Sequence, residues 1–166
     1  VKDMSEGELL QIEKARKLDI DEKIYFDIIR KKTAVLISSC CSCGATSMNQ
    51  DQDKIEKLKA FGEKVGIAFQ IKDDLFDFTQ SSLIGKPTGI DIREQKMTLP
   101  LIYTLNKVDT GIKNKIINTV KNYNKDDKKV AELIKLVIEN GGLEHAEKVM
   151  INYQKEALDI LSGFPK

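Results

Sequence analysis

Apolar residues recur along this chain at intervals of three and four, the spacing of one helix face. The first such stretch covers residues 5–17, and 19–21 read as a turn. A second runs over 21–44, with Ile24, Ile28, Lys32 and Leu36 in one stripe and Ile29, Thr33, Ile37 and Cys40 beside it. Residues 48–51, polar apart from Met48, interrupt the pattern. A third helix comes next, capped by Asp51 or Asp53, with Ile55, Leu58, Phe61, Val65, Ala68 and Phe69 facing inward, and it ends near Phe78. Periodicity is lost over 79–96, where Ser81, Ser82, Gly85, Pro87 and Gly89 are loop residues. Connections of that length inside a compact domain are usually functional. Helical spacing resumes at 99–108, with Thr98 placed as cap and Pro100 in the first turn. Two more amphipathic stretches, 111–123 and 126–139, precede a break at Gly141-Gly142 and a last helix over 143–161. No strand pattern, repeat or second domain is visible. The pattern predicts one all-α domain.

Polar residues break this pattern in three places. Gln70, Asp73, Asp74 and Asp77 stand at i, i+3, i+4 and i+7, so an amide and three carboxylates share one face. Like charges at that spacing repel, and the C-terminal end of a helix disfavours anions. A solvated acidic helix end would explain this, but the neighbours Ile67, Phe69, Ile71, Leu75 and Phe76 place the helix in a core. A divalent cation answers both penalties. The second place is Lys32, on the apolar stripe between Ile28 and Leu36. A lysine there either snorkels to water or meets a buried anion such as a phosphate, with the Thr33 hydroxyl as a further donor. The third is the loop, which brings Lys86, Asp91 and Lys96 close behind the carboxylates. Carboxylates, substrate phosphates and water are the usual surroundings of Mg²⁺, and lysines neutralise the remaining phosphate charge.

Composition narrows the field. The net charge of +1 gives no reason to propose nucleic-acid binding. No apolar run approaches the ~20 residues of a membrane span. Cys40, Cys41 and Cys43 are too close to staple distant segments and read as small buried thiols of a helix, which points to the cytoplasm. His145, the one histidine, reads as a surface residue. No nucleophile with a histidine base and no glycine-rich phosphate loop after a strand is present.

Together these residues resemble the C-terminal half of the trans-isoprenyl (polyprenyl) diphosphate synthases. Phe69-Gln70 followed by Asp73-Asp74-Leu75-Phe76-Asp77 is similar to that family's second aspartate-rich motif, DDxxD. The stretches Gly85-Lys86-Pro87 to Asp91-Ile92 and Lys96 to Ile102 resemble the family segment directly after that motif. Lys32-Thr33-Ala34 resembles an upstream Lys-Thr motif, Gly7-Glu8 with Gln11 the segment before that, and the Gly141-Gly142 break the C-terminal end. The resemblance implies an incomplete antiparallel bundle of the isoprenoid synthase type, with residues 1–166 as the C-terminal part of a single domain. It implies prenyl transfer from an allylic diphosphate to isopentenyl diphosphate. Asp73 would ligate Mg²⁺, with Asp74 and Asp77 in the same cluster. Lys32, Lys86 and Lys96 would hold diphosphate, and Thr33 and Gln70 would face the reacting carbons. A homo-oligomer is expected. The family's first aspartate-rich motif has no counterpart here; Asp126-Asp127 comes late in the chain and does not replace it. The expectation is therefore a fragment, inactive alone, whose uncovered apolar faces self-associate. A non-catalytic partner subunit and a terpene cyclase are the alternatives.

Overall fold

The computed structural model describes residues 2–18, 20–79 and 88–164. Aspartates start four of its helices. Asp21 accepts from Ile24 N at 2.7 Å and opens α2 (Glu22–Ile29), which comes after α1 (Lys2–Lys17). Asp51, not Asp53, accepts from Lys54 N and opens α4 (Gln52–Phe76). Asp109 and Asp126 do the same for α7 (Thr110–Asn122) and α8 (Asp127–Glu139). A side-chain oxygen at this position satisfies an amide that the helix cannot. Thr98 has the extended backbone of a cap before α6 (Leu99–Lys107) but makes no capping bond, and it is buried instead. Gly141, with φ +79°, turns the chain into α9 (Gly142–Ser162).

The second predicted helix has a discontinuity. A π-type turn at Arg30–Ala34 joins α2 to α3 (Val35–Ser47). Such a turn adds one residue to the repeat, and the buried face shifts accordingly. Tyr25, Ile28 and Ile29 are buried before it, Ala34 at its end, and Ser38 and Ala45 after it. This corrects the stripe read from the sequence: Leu36 is 52% exposed, and Cys40 and Cys43 are exposed while Cys41 is only half-buried.

The α2–α3 unit and α4 form an antiparallel pair, with Tyr25 opposite Asp74, Thr33 opposite Gln70 and Ser38 opposite Lys59. Glycine permits their close approach. A Cβ on Gly66 would lie 2.5 Å from Ala34 Cα, and one on Gly62 would lie 2.8 Å from Ser38 Cα. The far side of α4 packs along α9, where Lys64 pairs with Glu156. Ile67 and Ile71 sit in the core with Leu99, Leu101, Ile102, Ile116, Val120 and Val137. The inward face of α4 is thus rotated from the predicted one. Phe69 is 60% exposed and Phe76 is 42% exposed, while Phe61, Val65 and Ala68 are half-buried.

The predicted loop also contains structure. After Gly89, with φ +78°, a short helix α5 (Ile90–Arg93) packs its buried Ile92 into the core. Arg93 pairs with Asp127, and Asn124 donates to the Arg93 carbonyl, which ties α5 to the start of α8. Residues 80–87, Lys86 among them, lie outside the described residues. His145 is half-buried: its ring stacks on Tyr103 at 4.1 Å and its Nε2 lies 3.1 Å from Glu22 Oε1. Among the described residues no helix is long and apolar enough to cross a membrane.

Candidate active site

A cavity of about 190 Å³ opens between α2, the π turn, the C-terminal part of α4 and the segment around α5. Its polar lining is Gln11, Tyr25, Lys32, Gln70, Asp73, Asp74, Asp91, Lys96 and Thr98. Residues far apart in sequence meet here because α1 and α4 both approach the π turn closely. A Cβ on Gly7 would lie 2.9 Å from Lys31 Cβ and from Lys32 N. That approach lets Glu8 and Gln11 of α1 reach Lys32.

The three aspartates of α4 have different environments. Asp74 is 5% exposed. Its Oδ2 accepts from Tyr25 OH at 2.7 Å and its Oδ1 from Gln70 Nε2 at 3.0 Å. Burial, with smaller contributions from the charges of Asp91 and Asp73, pushes its carboxyl up to about 7 against the pull of those two hydrogen bonds. Burial and Asp74 likewise raise the Tyr25 phenol well above its usual range. Asp77 is half-buried and ends α4. Its Oδ1 accepts from Ile90 N at 2.8 Å and its Oδ2 from Asp91 N at 3.0 Å, so it caps α5. Burial and Asp91 raise its carboxyl. Asp73 alone of the three is exposed, and nothing among the described residues donates to it. The shared face read from the sequence is therefore divided by tertiary contacts.

Thr33 completes a chain with Asp74. Its hydroxyl donates to Gln70 Oε1 at 2.8 Å, while Gln70 Nε2 donates to Asp74. The carboxylate fixes which way the amide faces, and the amide fixes where the hydroxyl donates. Among the described residues nothing donates to Thr33 Oγ1. Lys32, half-buried, is 2.7 Å from Glu8 Oε2 and donates to Gln11 Oε1. It neither snorkels free nor lies buried without a partner. Lys96 pairs with Glu94 at 2.6 Å and Asp91 at 3.3 Å. Burial alone would lower the Lys96 ammonium, but Glu94 and Asp91 outweigh it and hold it above the usual lysine value. Burial raises Asp91, and Lys96 opposes that rise.

Mg²⁺ is bound in proteins through one or two carboxylates, with water and substrate phosphate completing its shell. Asp73 fits such a role. Asp74 and Asp77 each already accept two hydrogen bonds from the protein, so only the remaining lone pairs of their oxygens are open to a metal or its water. Among the described residues no three His, Cys, Asp or Glu side chains gather closely enough to hold a metal by themselves.

The comparisons with known proteins fit this geometry. The family model described as "Polyprenyl synthetase" matches residues 1–137. The chain belongs to the polyprenyl synthetase family. A short chain isoprenyl diphosphate synthase of Methanothermobacter thermautotrophicus is 34% identical over 160 residues, which cover 94% of this chain and 49% of that protein. Heptaprenyl diphosphate synthase component 2 of Geobacillus stearothermophilus is 32% identical over 160 residues, with 96% and 49% covered. Among solved structures, a decaprenyl diphosphate synthase from Rhodobacter capsulatus superposes with a TM-score of 0.91 at 32% identity, covering 99% of this chain and 51% of that one. A geranylgeranyl pyrophosphate synthase from Bacteroides thetaiotaomicron gives 0.89 at 38% identity, with 99% and 55% covered. The chain thus has the isoprenoid synthase fold of this polyprenyl synthetase family and spans about half the length of these relatives.

Tyr25 is the site residue that reading the sequence missed. It lies seven residues before Lys32 and on the same face, a spacing that could have drawn attention to it. Glu8 and Gln11 entered only through the resemblance, because no local pattern shows that they reach Lys32.

Proposed function

We propose that this chain supplies one wall of a trans-polyprenyl diphosphate synthase site, which lengthens an allylic diphosphate with isopentenyl diphosphate. The observation that carries the reading is one cavity lined by two lysines, the unengaged Asp73 carboxylate, Gln70 and Asp74, with Thr33 bonded to Gln70. Lys32 and Lys96 take the allylic diphosphate, with Lys86 as a further donor, and Asp73 takes Mg²⁺. Bound Mg²⁺ would neutralise charge on the departing diphosphate. The carbon–oxygen bond breaks and its electron pair leaves with the diphosphate. Lys32 and Lys96 stabilise that charge electrostatically. The allylic cation left behind faces the oxygens of Thr33 and Gln70. The isopentenyl double bond attacks it, forming the new carbon–carbon bond, and the diphosphate takes the proton then lost. Asp74 and Tyr25 hold Gln70 in orientation, and Asp77 holds α5.

The wall that the family's first aspartate-rich motif would supply has no counterpart in this sequence, so the polypeptide by itself is proposed to be inactive and to self-associate through its apolar faces. Its free thiols support a cytoplasmic setting. A prenyl-transfer assay with both diphosphates and Mg²⁺ tests the reading. Turnover by this polypeptide alone contradicts the single-wall view. Joined to a relative's segment that carries the other motif, it is expected to turn over and to lose activity on Asp73→Ala. A folded, joined protein that is indifferent to Asp73→Ala overturns the assignment.

A further inference from the structure

Both lysines of the cavity are engaged by carboxylates of the chain itself. Lys32 is held by Glu8 and Gln11, and Lys96 by Glu94 and Asp91. These carboxylates differ in freedom. The Asp91 side chain is 19% exposed, and its residue is anchored where its amide donates to Asp77. Those of Glu8 and Glu94 are 49% and 54% exposed, on long flexible stems. Glu94 is held below its usual carboxyl value by Lys96 and, more weakly, by Lys32, so the two pairs form one electrostatic cluster.

Exposed ion pairs are weak and exchange readily. A small anion that reaches one lysine replaces one such pair with another and gains little. A diphosphate reaching both lysines replaces two carboxylates with one ligand, at one loss of translational freedom. We propose that Glu8 and Glu94 are specificity-determining residues: they screen Lys32 and Lys96 from small anions and yield only to a ligand, such as a diphosphate, that engages both. The proposal rests on the reading of these lysines as a diphosphate site. Gly7 is part of the device, because its lack of a side chain brings Glu8 within reach of Lys32.

Calorimetric titration of this chain with inorganic pyrophosphate and with inorganic phosphate, without metal, tests it. The proteins are wild type, Glu8→Gln, Glu94→Gln and the double variant, each checked for unchanged helix content by circular dichroism. Glutamine keeps the side-chain shape, and both positions are exposed. Wild type is expected to prefer pyrophosphate strongly. Each single variant should tighten phosphate binding by about two- to five-fold, the strength of an exposed pair. The double variant should narrow the preference further. Phosphate affinity that is unchanged or weaker in the double variant overturns the proposal and leaves Glu8 and Glu94 as props for the lysines. Pyrophosphate binding in neither wild type nor the double variant, with all proteins folded, overturns the diphosphate-site reading itself.

Discussion

Helix α4 has two long faces with opposite characters. One is buried: Gly62, Gly66 and Asp74 meet the α2–α3 unit, and Ile67 and Ile71 lie in the core. Beside α9 the helix presents Phe61, Val65, Ala68, Phe69 and Lys72, which with Met150, Leu158 and Leu161 line an open groove of about 370 Å³. The first face is closed sterically and polar groups on it are satisfied: Gly66 meets Ala34, and Asp74 has donors for both oxygens. The second leaves large apolar surface in water, with Phe69 at 60% and Leu158 at 55% exposure. The difference separates what this chain completes by itself from what it leaves to a cover. The carboxylate wall is internally braced, and the apolar groove is not.

Truncation should read this contrast most strongly. Ile71→Ala is expected to cost about 2–5 kcal/mol in urea unfolding, as for other fully buried aliphatic side chains. Phe69→Ala on the open face should cost under about 1 kcal/mol. Equal costs would mean that the groove is filled in solution. Gly66→Ala is expected to lose about 1–3 kcal/mol through overpacking against Ala34 backbone, despite the better helix propensity of alanine. A stabilised Gly66→Ala would show that α3 and α4 separate easily.

Acidity probes the closed face. The Asp74 carboxyl titrates near 7 in the fold, against an ordinary value of 3.8. Between those limits the folded state holds the extra proton, so stability is greatest below the lower value and falls as pH rises through the upper. The slope is at most about 1.4 kcal/mol per pH unit. Unfolding measured from pH 4 to 8 should show this fall, and Asp74→Asn should flatten it. A wild-type stability that rises across that range contradicts the burial of an unpaired carboxylate. The smallest effect belongs to the open face. Sedimentation at rising concentration should show self-association, with Leu158→Glu moving the protein toward monomer at nearly unchanged stability. A wild type that stays monomeric at high concentration removes the case for an apolar partner there.

Much of the fold was legible because helical periodicity and capping aspartates are local signals. The cap of α4 was narrowed to Asp51 or Asp53 from the sequence, whereas Asp109 and Asp126 were not read as caps although their signal is equally local. The π turn at Arg30–Ala34 was not, since the residues there carry no mark of a five-residue hydrogen-bond ring. That one inserted residue explains why Leu36 and the cysteines were placed inside. At the site, the sequence showed which residues share a helix face but not how neighbouring elements would divide them. Tyr25 takes Asp74 and the amides of α5 take Asp77, and both come from outside α4. Asp73 keeps its carboxylate free for the same reason: no neighbouring element among the described residues reaches it. The partial cover of His145 was not legible because it comes from Tyr103 and Glu22, on two other helices.

The central claim is that Asp73 with Lys32 and Lys96 forms a metal–diphosphate wall. Its most direct test is calorimetric binding of pyrophosphate to this chain with and without Mg²⁺, in wild type and Asp73→Ala. Asp73 is exposed and has no donor among the described residues, so its loss should leave the fold intact. Mg²⁺ is expected to tighten pyrophosphate binding at least about tenfold in wild type, a difference of about 1.4 kcal/mol, and Asp73→Ala should abolish the gain. A Mg²⁺ enhancement of the same size in Asp73→Ala would contradict the claim.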